Sequence, residues 1–287
     1  MYHIIYNPVA GKKNALKNLR VAEDILTKRG VAYQAHGSRG CQDVMRIARE
    51  LSEQGERDFI IIGGDGTLHE ALNGLCDPSA CRIGLIPSGT GNDFAARMGL
   101  SLNAEKSTLQ ILDGEIKDTD YLEIGGVRCM NVGGLGIDVE VLEHCKRGKI
   151  KGKLKYLLSL VRCLFTFKGC KVELECEGLK TEKDVLIATV CNGSQFGGGI
   201  PICPTAAVDD GKIDVVVVDC IGGVLKIVGA FIQLMKGKIL EYRATTHFLC
   251  ERIRFAPRKL CTVQLDGELY KGLDFDVKIC RGLKFYC

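Results

Sequence analysis

The chain has 287 residues, 46% of them hydrophobic and 26% charged, with a formal net charge of +4 and a pI near 8.3. That length accommodates two domains, and that composition excludes a disordered chain. The charge is too slight to argue for nucleic acid, although it suits a partner carrying anionic phosphates or an anionic membrane surface.

Up to Asp120 strand-like apolar runs alternate with helical patterns. Residues 2–6 are expected as a strand. Residues 14–29 are expected as a helix with Leu16, Leu19, Ile25 and Leu26 on its apolar face. A second strand follows at 31–36, and a helix at 41–54 through Val44, Ile47, Ala48 and Leu51. Residues 59–62 form a short, wholly apolar strand and 67–75 a helix. A strand at 82–86 and helices at 92–98 and 107–112 complete the series. Strands and helices in strict succession predict a doubly wound parallel sheet covered on both faces, which binds ligands at the carboxyl ends of its strands.

Beyond a boundary near 118–121 the pattern changes. Residues 171–177 and 185–191 read as paired strands around a polar turn at 178–184. Further strands are expected at 213–218, 247–255, 261–265 and 275–279, most alternating with period two. Helical stretches at 154–167 and 224–235 interrupt them. The expected organisation is an α/β nucleotide domain over residues 1–120 and an antiparallel β-sandwich over 121–287, with the active site in the cleft between them.

The fifteen cysteines lie mostly singly in apolar stretches, without Cys-x-x-Cys pairs of zinc spacing. The opening residues carry no basic, apolar leader. Reduced thiols acting as small hydrophobes in a cytoplasmic protein are therefore expected. No apolar run approaches the roughly 20 residues of a membrane span; the best, 154–167, contains Lys155 and Arg162. A basic run of Lys146, Arg147, Lys149, Lys151, Lys153 and Lys155 beside that stretch suits either peripheral docking on an anionic bilayer or a solvated loop. The apolar residues 224–235 could line an acyl-chain cleft or simply pack in a core.

The segment Gly63-Gly64-Asp65-Gly66-Thr67 stands directly after a strand and before a helix. Glycines there let the backbone approach a ligand, and the helix N-terminus offers N–H groups to phosphate. Asp65, an acid among such donors, can order a cation, a ribose or an attacking hydroxyl. The arrangement recurs at Asn7-Pro8-Val9-Ala10-Gly11, beside Lys12 and Lys13, and at Pro87-Ser88-Gly89-Thr90-Gly91-Asn92-Asp93-Phe94. Three such loops at one sheet edge would converge on a polyanion. No Gly-x-x-x-x-Gly-Lys-Ser/Thr or helix-opening Gly-x-Gly-x-x-Gly is present, which excludes a P-loop and a standard dinucleotide site.

Taken together, residues 7–11, 63–67 and 87–94 resemble the diacylglycerol kinase catalytic domain shared by bacterial lipid kinases and sphingosine kinases. The resemblance runs on through residues 67–74, 131–138, Asn192-Gly193, Gly197-Gly198-Gly199, Asp209-Asp210-Gly211 and Asp266-Gly267-Glu268. It implies a lipid kinase using ATP and Mg2+, with a diacylglycerol-like substrate at a membrane surface. ATP would lie against Asn7, Pro8, Val9, Ala10, Gly11, Ser38, Gly63, Gly64, Asp65, Gly66, Thr67, Leu68, His69 and Thr90. Ser38 stands where relatives often carry threonine. Glu268 matches the proton acceptor, and Asp210 with the main-chain oxygens of Ala207 and Lys212 matches a magnesium site; Asp65 and Asp93 match members of its polar network. Homodimers are common among such relatives. Asp65 and Glu268 compete for the base role. Two residues apart on a strand, Asp266 and Glu268 would share a face as a carboxylate pair, and Asp210-Gly211 would otherwise be a hairpin turn. His69 is expected on the helix surface near the site. The rivals are an NAD or sugar-phosphate kinase and a non-catalytic nucleotide or lipid sensor.

Overall fold

The computed structural model describes residues 1–147, 153–257 and 262–287, with the side chains at 12–13, 146–147, 153–157 and 224 outside that description. The whole basic run at 146–155 therefore lies outside the described side chains. The chain divides into two compact units, Met1–Asp120 with Arg281–Cys287, and Tyr121–Cys280. The final residues thus belong with the first unit, not with the second as a 121–287 domain would have them.

In the first unit the chain runs β1 (Tyr2–Tyr6), α1 (Asn14–Lys28), β2 (Tyr33–Gly37), α2 (Asp43–Glu53), β3 (Asp58–Gly63), α3 (Asp65–Gly74), β4 (Arg82–Pro87), α4 (Asp93–Arg97) and α5 (Ala104–Asp113). β1 pairs in parallel with both β2 and β3, and β3 with β4. Ile4, Ile60, Ile62 and Ile86 share a buried cluster with α1 and α5. The alternate residues Ile5, Phe59, Ile61 and Leu85 are equally buried, as period-two strands covered on both faces require. On α1 the buried residues are Ala15, Leu19, Ala22 and Leu26, whereas Leu16 points outward. Small alanines let the helix lie close to the sheet, a face that a search for large apolar residues overlooks. The four residues singled out on α2 are all buried.

The chain continues through β5 (Ile116–Ile124) into the second unit, with β6 (Val127–Cys129), β7 (Val132–Gly136), α6 (Ile137–Arg147), α7 (Lys153–Thr166), β8 (Cys170–Cys176), β9 (Leu179–Cys191), β10 (Ile213–Asp219) and α8 (Val224–Met235). β11 (Thr245–Cys250), β12 (Arg252–Pro257), β13 (Thr262–Leu265), β14 (Glu268–Lys271) and β15 (Phe275–Tyr286) follow. The end of β15 pairs in parallel with β4 in the first unit, at Lys284↔Arg82.

The strands of the second unit are antiparallel, with β9 central between β10, β7 and β8. β10 explains the apolar run in its sequence. Val215 and Val217 enter a core built from strands, while Val216 and Val218 enter one shared with α6, α7 and α8. The polar segment expected as a turn at 178–184 is strand instead: β9 begins at Leu179 and the turn is only Glu177-Gly178. Its charges serve cross-strand pairing, with Lys180 Nζ 3.3 Å from both Glu173 and Glu175. The single strand expected at 247–255 is two, broken at Glu251. Among the described residues every cysteine is a free thiol, and no helix is long and apolar enough to cross a membrane.

Candidate functional site

Strand order in the first unit is β2-β1-β3-β4, so the chain leaves β1 first to one side and then returns to its other side. The carboxyl ends of β1 and β3 therefore flank a topological switch point, the place where open parallel sheets bind ligands. The loops after β1, β3 and β4 meet there. Asn7 N–H donates to the Ile62 carbonyl at 3.2 Å and Ser88 N–H to the Gly63 carbonyl at 2.7 Å. Gly11 has φ +55°, and a Cβ on it would strike the Ser88 carbonyl. A Cβ on Gly64 would lie 2.8 Å from Gly89 Cα. The two loops are in backbone contact, which any side chain at 64 would break.

Asp65 ties the same two loops. α3 begins at Asp65, two residues before the expected Thr67, with Gly64 at its cap and no side-chain cap. The Asp65 carboxylate Oδ1 accepts the Phe94 N–H at 3.1 Å, in the first turn of α4, so it stabilises the start of that helix. Asn92, in left-handed conformation, closes its loop by accepting the Gly89 N–H at 2.9 Å and donating to the Gly89 carbonyl at 3.1 Å. Asn18 from α1 donates to Ser88 Oγ at 2.8 Å. An isolated asparagine on a helix gave no sequence signal of this support.

Asn7 Oδ1 accepts the Val9 N–H at 3.1 Å and shapes the turn after β1, leaving Val9 exposed; Pro8 lies within that turn, and Ala10 opens the 3-10 helix that follows. Ser38 is buried just after β2, its N–H on the Tyr6 carbonyl at 2.9 Å. Thr67 is buried against Gly63, while Thr90 is exposed. Leu68 and His69 are each 1% exposed. His69 thus packs in the interior and not on the helix surface, and neither side chain presents itself to a ligand at the loops. Asp93 is also buried.

In the second unit Asp266 and Gly267 form the two-residue turn between β13 and β14, with φ +52° and +85° and with Leu265 opposite Glu268. Two positive φ values are the signature of the favoured hairpin turn. Asp266 is therefore not on the strand with Glu268, and the expected carboxylate pair does not form. Its carboxylate instead accepts the Met130 and Asn131 N–H groups, both at 2.8 Å, and the Cys129 thiol at 3.2 Å. Asp266→Ala is expected to destabilise the protein by about 2–4 kcal/mol, because it orphans partly buried donors and loses a side chain suited to left-handed backbone. Urea unfolding checks this; a loss under about 0.5 kcal/mol would show that the Asp266 bonds contribute nothing.

Glu268 is exposed at the first position of β14. The hairpin considered for Asp210-Gly211 is absent: these residues are bends leading into β10. Asp210 is exposed, its Oδ1 accepts the Lys212 N–H at 2.9 Å, and Lys212 Nζ pairs with Glu251 at 2.7 Å. Ala207 lies half-buried in the preceding segment.

An apolar cavity in this unit is lined by Leu160 and Leu164 of α7, Phe231 and Leu234 of α8, and Ile202 and Val218, with Asp138 on its wall. Asp138 is 1% exposed and accepts the Val139 N–H at 2.9 Å. Its Oδ2 and Gln264 Nε2 are both buried close to Gly134. Burial pushes the Asp138 carboxyl up to about 7 against the pull of the Val139 N–H and of the Gln264 side chain. A raised folded pKa means that the neutral acid is favoured, so stability is full below pH 3.8 and falls as pH rises through about 7. Asp138→Asn should remove that slope, worth up to about 4 kcal/mol over the window, and should exceed the parent in stability at pH 8. Parallel stability–pH curves for the two proteins would refute the assignment.

The diacylglycerol kinase catalytic domain model matches residues 1–124, and the YegS C-terminal NAD kinase beta sandwich-like domain model matches residues 131–282. A "Probable lipid kinase YegS-like" of Xanthomonas campestris pv. campestris is 30% identical over 280 residues, covering 93% of this chain and 90% of its own. A "Diacylglycerol kinase" of Bacillus subtilis is 26% identical over 276 residues, covering 94% and 90%. A diacylglycerol kinase crystal structure from Bacillus anthracis str. Sterne shares the fold, with a TM-score of 0.76 at 21% identity, over 99% of this chain and 96% of that one.

Proposed function

This chain belongs to the diacylglycerol kinase catalytic-domain family of lipid kinases, and from that premise we propose that it transfers the γ-phosphate of ATP to a lipid hydroxyl, with a diacylglycerol-like acceptor. The observation that carries the nucleotide half is the meeting of three glycine-bearing loops at the switch point beside the uncapped start of α3. Such an end presents N–H groups and a positive dipole to the triphosphate. Asp65 and Asn92 hold the loops in register, so binding needs little reorganisation.

In the second unit Glu268 serves as base. It takes the acceptor hydroxyl proton as that oxygen bonds to the γ-phosphorus and the bond to the leaving ADP oxygen breaks. The Asp210 carboxylate and the carbonyls of Ala207 and Lys212 are all-oxygen donors, the set a hard cation takes; a bound Mg2+ would neutralise phosphate charge.

Helices α7 and α8 carry exposed apolar stripes. These are Leu158, Val161 and Phe165 on α7, and Leu225, Val228, Ile232 and Met235 on α8, with Leu225 at 88% exposure. Spacings of three and four align each set on one helical face, the form of a surface that dips into a bilayer interface. Leu225→Glu with Ile232→Glu should reduce sedimentation with phosphatidylglycerol vesicles at every salt concentration. Charge reversal at Lys149, Lys151 and Lys153 should do so only at low salt, because the Debye length shrinks to about 3 Å at 1 M. Vesicle binding equal to the parent's in both variants would remove the membrane-surface reading.

The activity itself is tested with γ-labelled ATP against diacylglycerol, phosphatidylglycerol, a sphingoid base and a polyprenol, with NAD and sugar phosphates alongside. Label in a lipid phase is expected. Label in NADP or a sugar bisphosphate, or nucleotide binding without turnover on any acceptor, would overturn the proposal.

A further inference from the structure

We propose that Cys203, Asp214 and His247 form a zinc site in the second unit. The strand register brings two of them together. Asp214 lies on β10, and His247 on β11 stands opposite Val216 on β10. Alternate residues of a strand share a face, so Asp214 and Val216 point the same way. Asp214 and His247 therefore project from one face of two adjacent strands. Cys203 enters over that face from the segment after β9, held by its N–H on the Ser194 carbonyl at 3.1 Å.

The ligand atoms are close. His247 Nε2 is 2.6 Å from Asp214 Oδ1, and Cys203 Sγ lies 3.4 Å from that oxygen and 3.9 Å from Nε2. All three atoms fall within 4.8 Å of one another. Zinc bonds of about 2.0–2.3 Å in a tetrahedron separate ligand atoms by roughly 3.3–3.8 Å, so side-chain adjustments of up to about 0.7 Å suffice, the largest between His247 and Asp214.

Ligand chemistry selects the metal. A thiol and an imidazole disfavour magnesium or calcium, and with one carboxylate they make a mixed sulfur, nitrogen and oxygen set that suits zinc. Three protein ligands leave the fourth position of the tetrahedron to a water. Cys203 and Asp214 are buried, while His247 keeps an edge to solvent by which metal can enter. Loading replaces the His247–Asp214 hydrogen bond with two metal bonds and sends the Cys203 thiol proton to solvent, so uptake weakens as pH falls.

The consequence is local. Cys203 and Asp214 bracket residues 204–213, the segment that carries Ala207, Asp210 and Lys212. Zinc would pin both ends of that loop to His247 on β11, fixing the backbone carbonyls and the exposed carboxylate without touching any substrate. The site does not depend on which acceptor the enzyme phosphorylates.

The test uses the untagged full chain, purified without chelators. Mass-spectrometric metal analysis of the parent is expected to give about one zinc per chain, and competition against a chromophoric zinc chelator gives its affinity. Cys203→Ala and His247→Ala should each weaken that affinity at least about 100-fold, beyond what losing an outer-shell partner costs. A strong chelator should lower the Tm of the parent and leave that of His247→Ala unchanged. The chelator comparison on the parent stands even if a variant folds poorly. A parent that takes up no zinc overturns the proposal. So does equal uptake by parent and both variants, which would assign the metal to the remaining cysteines as adventitious binding.

Discussion

Gly64→Val is expected to abolish ATP binding while the protein remains folded. A Cβ at this position would already lie 2.8 Å from Gly89 Cα and 3.7 Å from Asn92 Oδ1, so the branched valine must push the loops after β3 and β4 apart. Separating them displaces the Phe94 N–H from Asp65 and fills the approach to the first turn of α3. Overpacking of this kind costs about 1–3 kcal/mol, within the 5–15 kcal/mol that a domain typically has. A triphosphate held by backbone groups loses all of them together, so the dissociation constant should rise by at least about 100-fold, equivalent to roughly 2.8 kcal/mol. Calorimetric titration with circular dichroism on the same sample is the measurement. A folded variant with the parent's ATP affinity would place the nucleotide elsewhere.

The parallel architecture was legible because its strands are buried on both faces and so read as unbroken apolar runs, as in Phe59, Ile60, Ile61 and Ile62. The loops that meet at the switch point were legible for a related reason. Backbone contact between Gly64 and Gly89 admits no side chain, and that requirement is written directly as glycine. Other elements left no comparable trace. β7 is not among the expected strands; it contains Gly133 and Gly134, and a Cβ on Gly133 would lie 2.7 Å from Ile124 Cδ1 and one on Gly134 would strike the Asp138 carboxylate. There the glycines mark crowding across a sheet, not a turn. The solvent-facing start of β9 misled for the opposite reason: Lys180, Glu182 and Asp184 look like a turn, and only pairing with β8 makes them strand.

The Asp-Gly signal shows where local sequence stops deciding. Asp266-Gly267 and Asp210-Gly211 carry the same dipeptide, and only the first is a hairpin. The difference is set by what surrounds each turn. Asp266 finds the Met130 and Asn131 N–H groups from a segment more than a hundred residues away, whereas Asp210 turns back on its own backbone at Lys212. His69 was misplaced because a polar residue on a helix near a site reads as exposed, and nothing local announces that α2 packs on α3.

Glu268→Gln is expected to lower turnover by roughly 10²- to 10⁴-fold, the usual cost of removing a general base, with ATP affinity nearly unchanged. Glu268 is exposed at the first position of a short strand, and its neighbour Asp266, not Glu268, bonds the backbone of residues 130 and 131. The amide therefore keeps the shape of the turn while removing the proton acceptor. Asp65→Asn differs because Asp65 holds the Phe94 N–H at the junction of two phosphate loops. A neutral amide weakens a charge-assisted bond there, and it removes an acid from the loops that would bind the triphosphate. It should therefore raise the ATP dissociation constant as well as lowering turnover. Both constants are measured for each variant at the same magnesium concentration, with thermal unfolding confirming the fold. If Asp65→Asn leaves ATP affinity unchanged and eliminates turnover while Glu268→Gln is nearly silent, the base is Asp65, and the carboxylate that organises the loops also accepts the proton. If both variants lose affinity and turnover in proportion, neither acts as a base alone, because a proton acceptor is needed only in the chemical step, whereas a group that shapes the loops is needed as soon as the nucleotide binds.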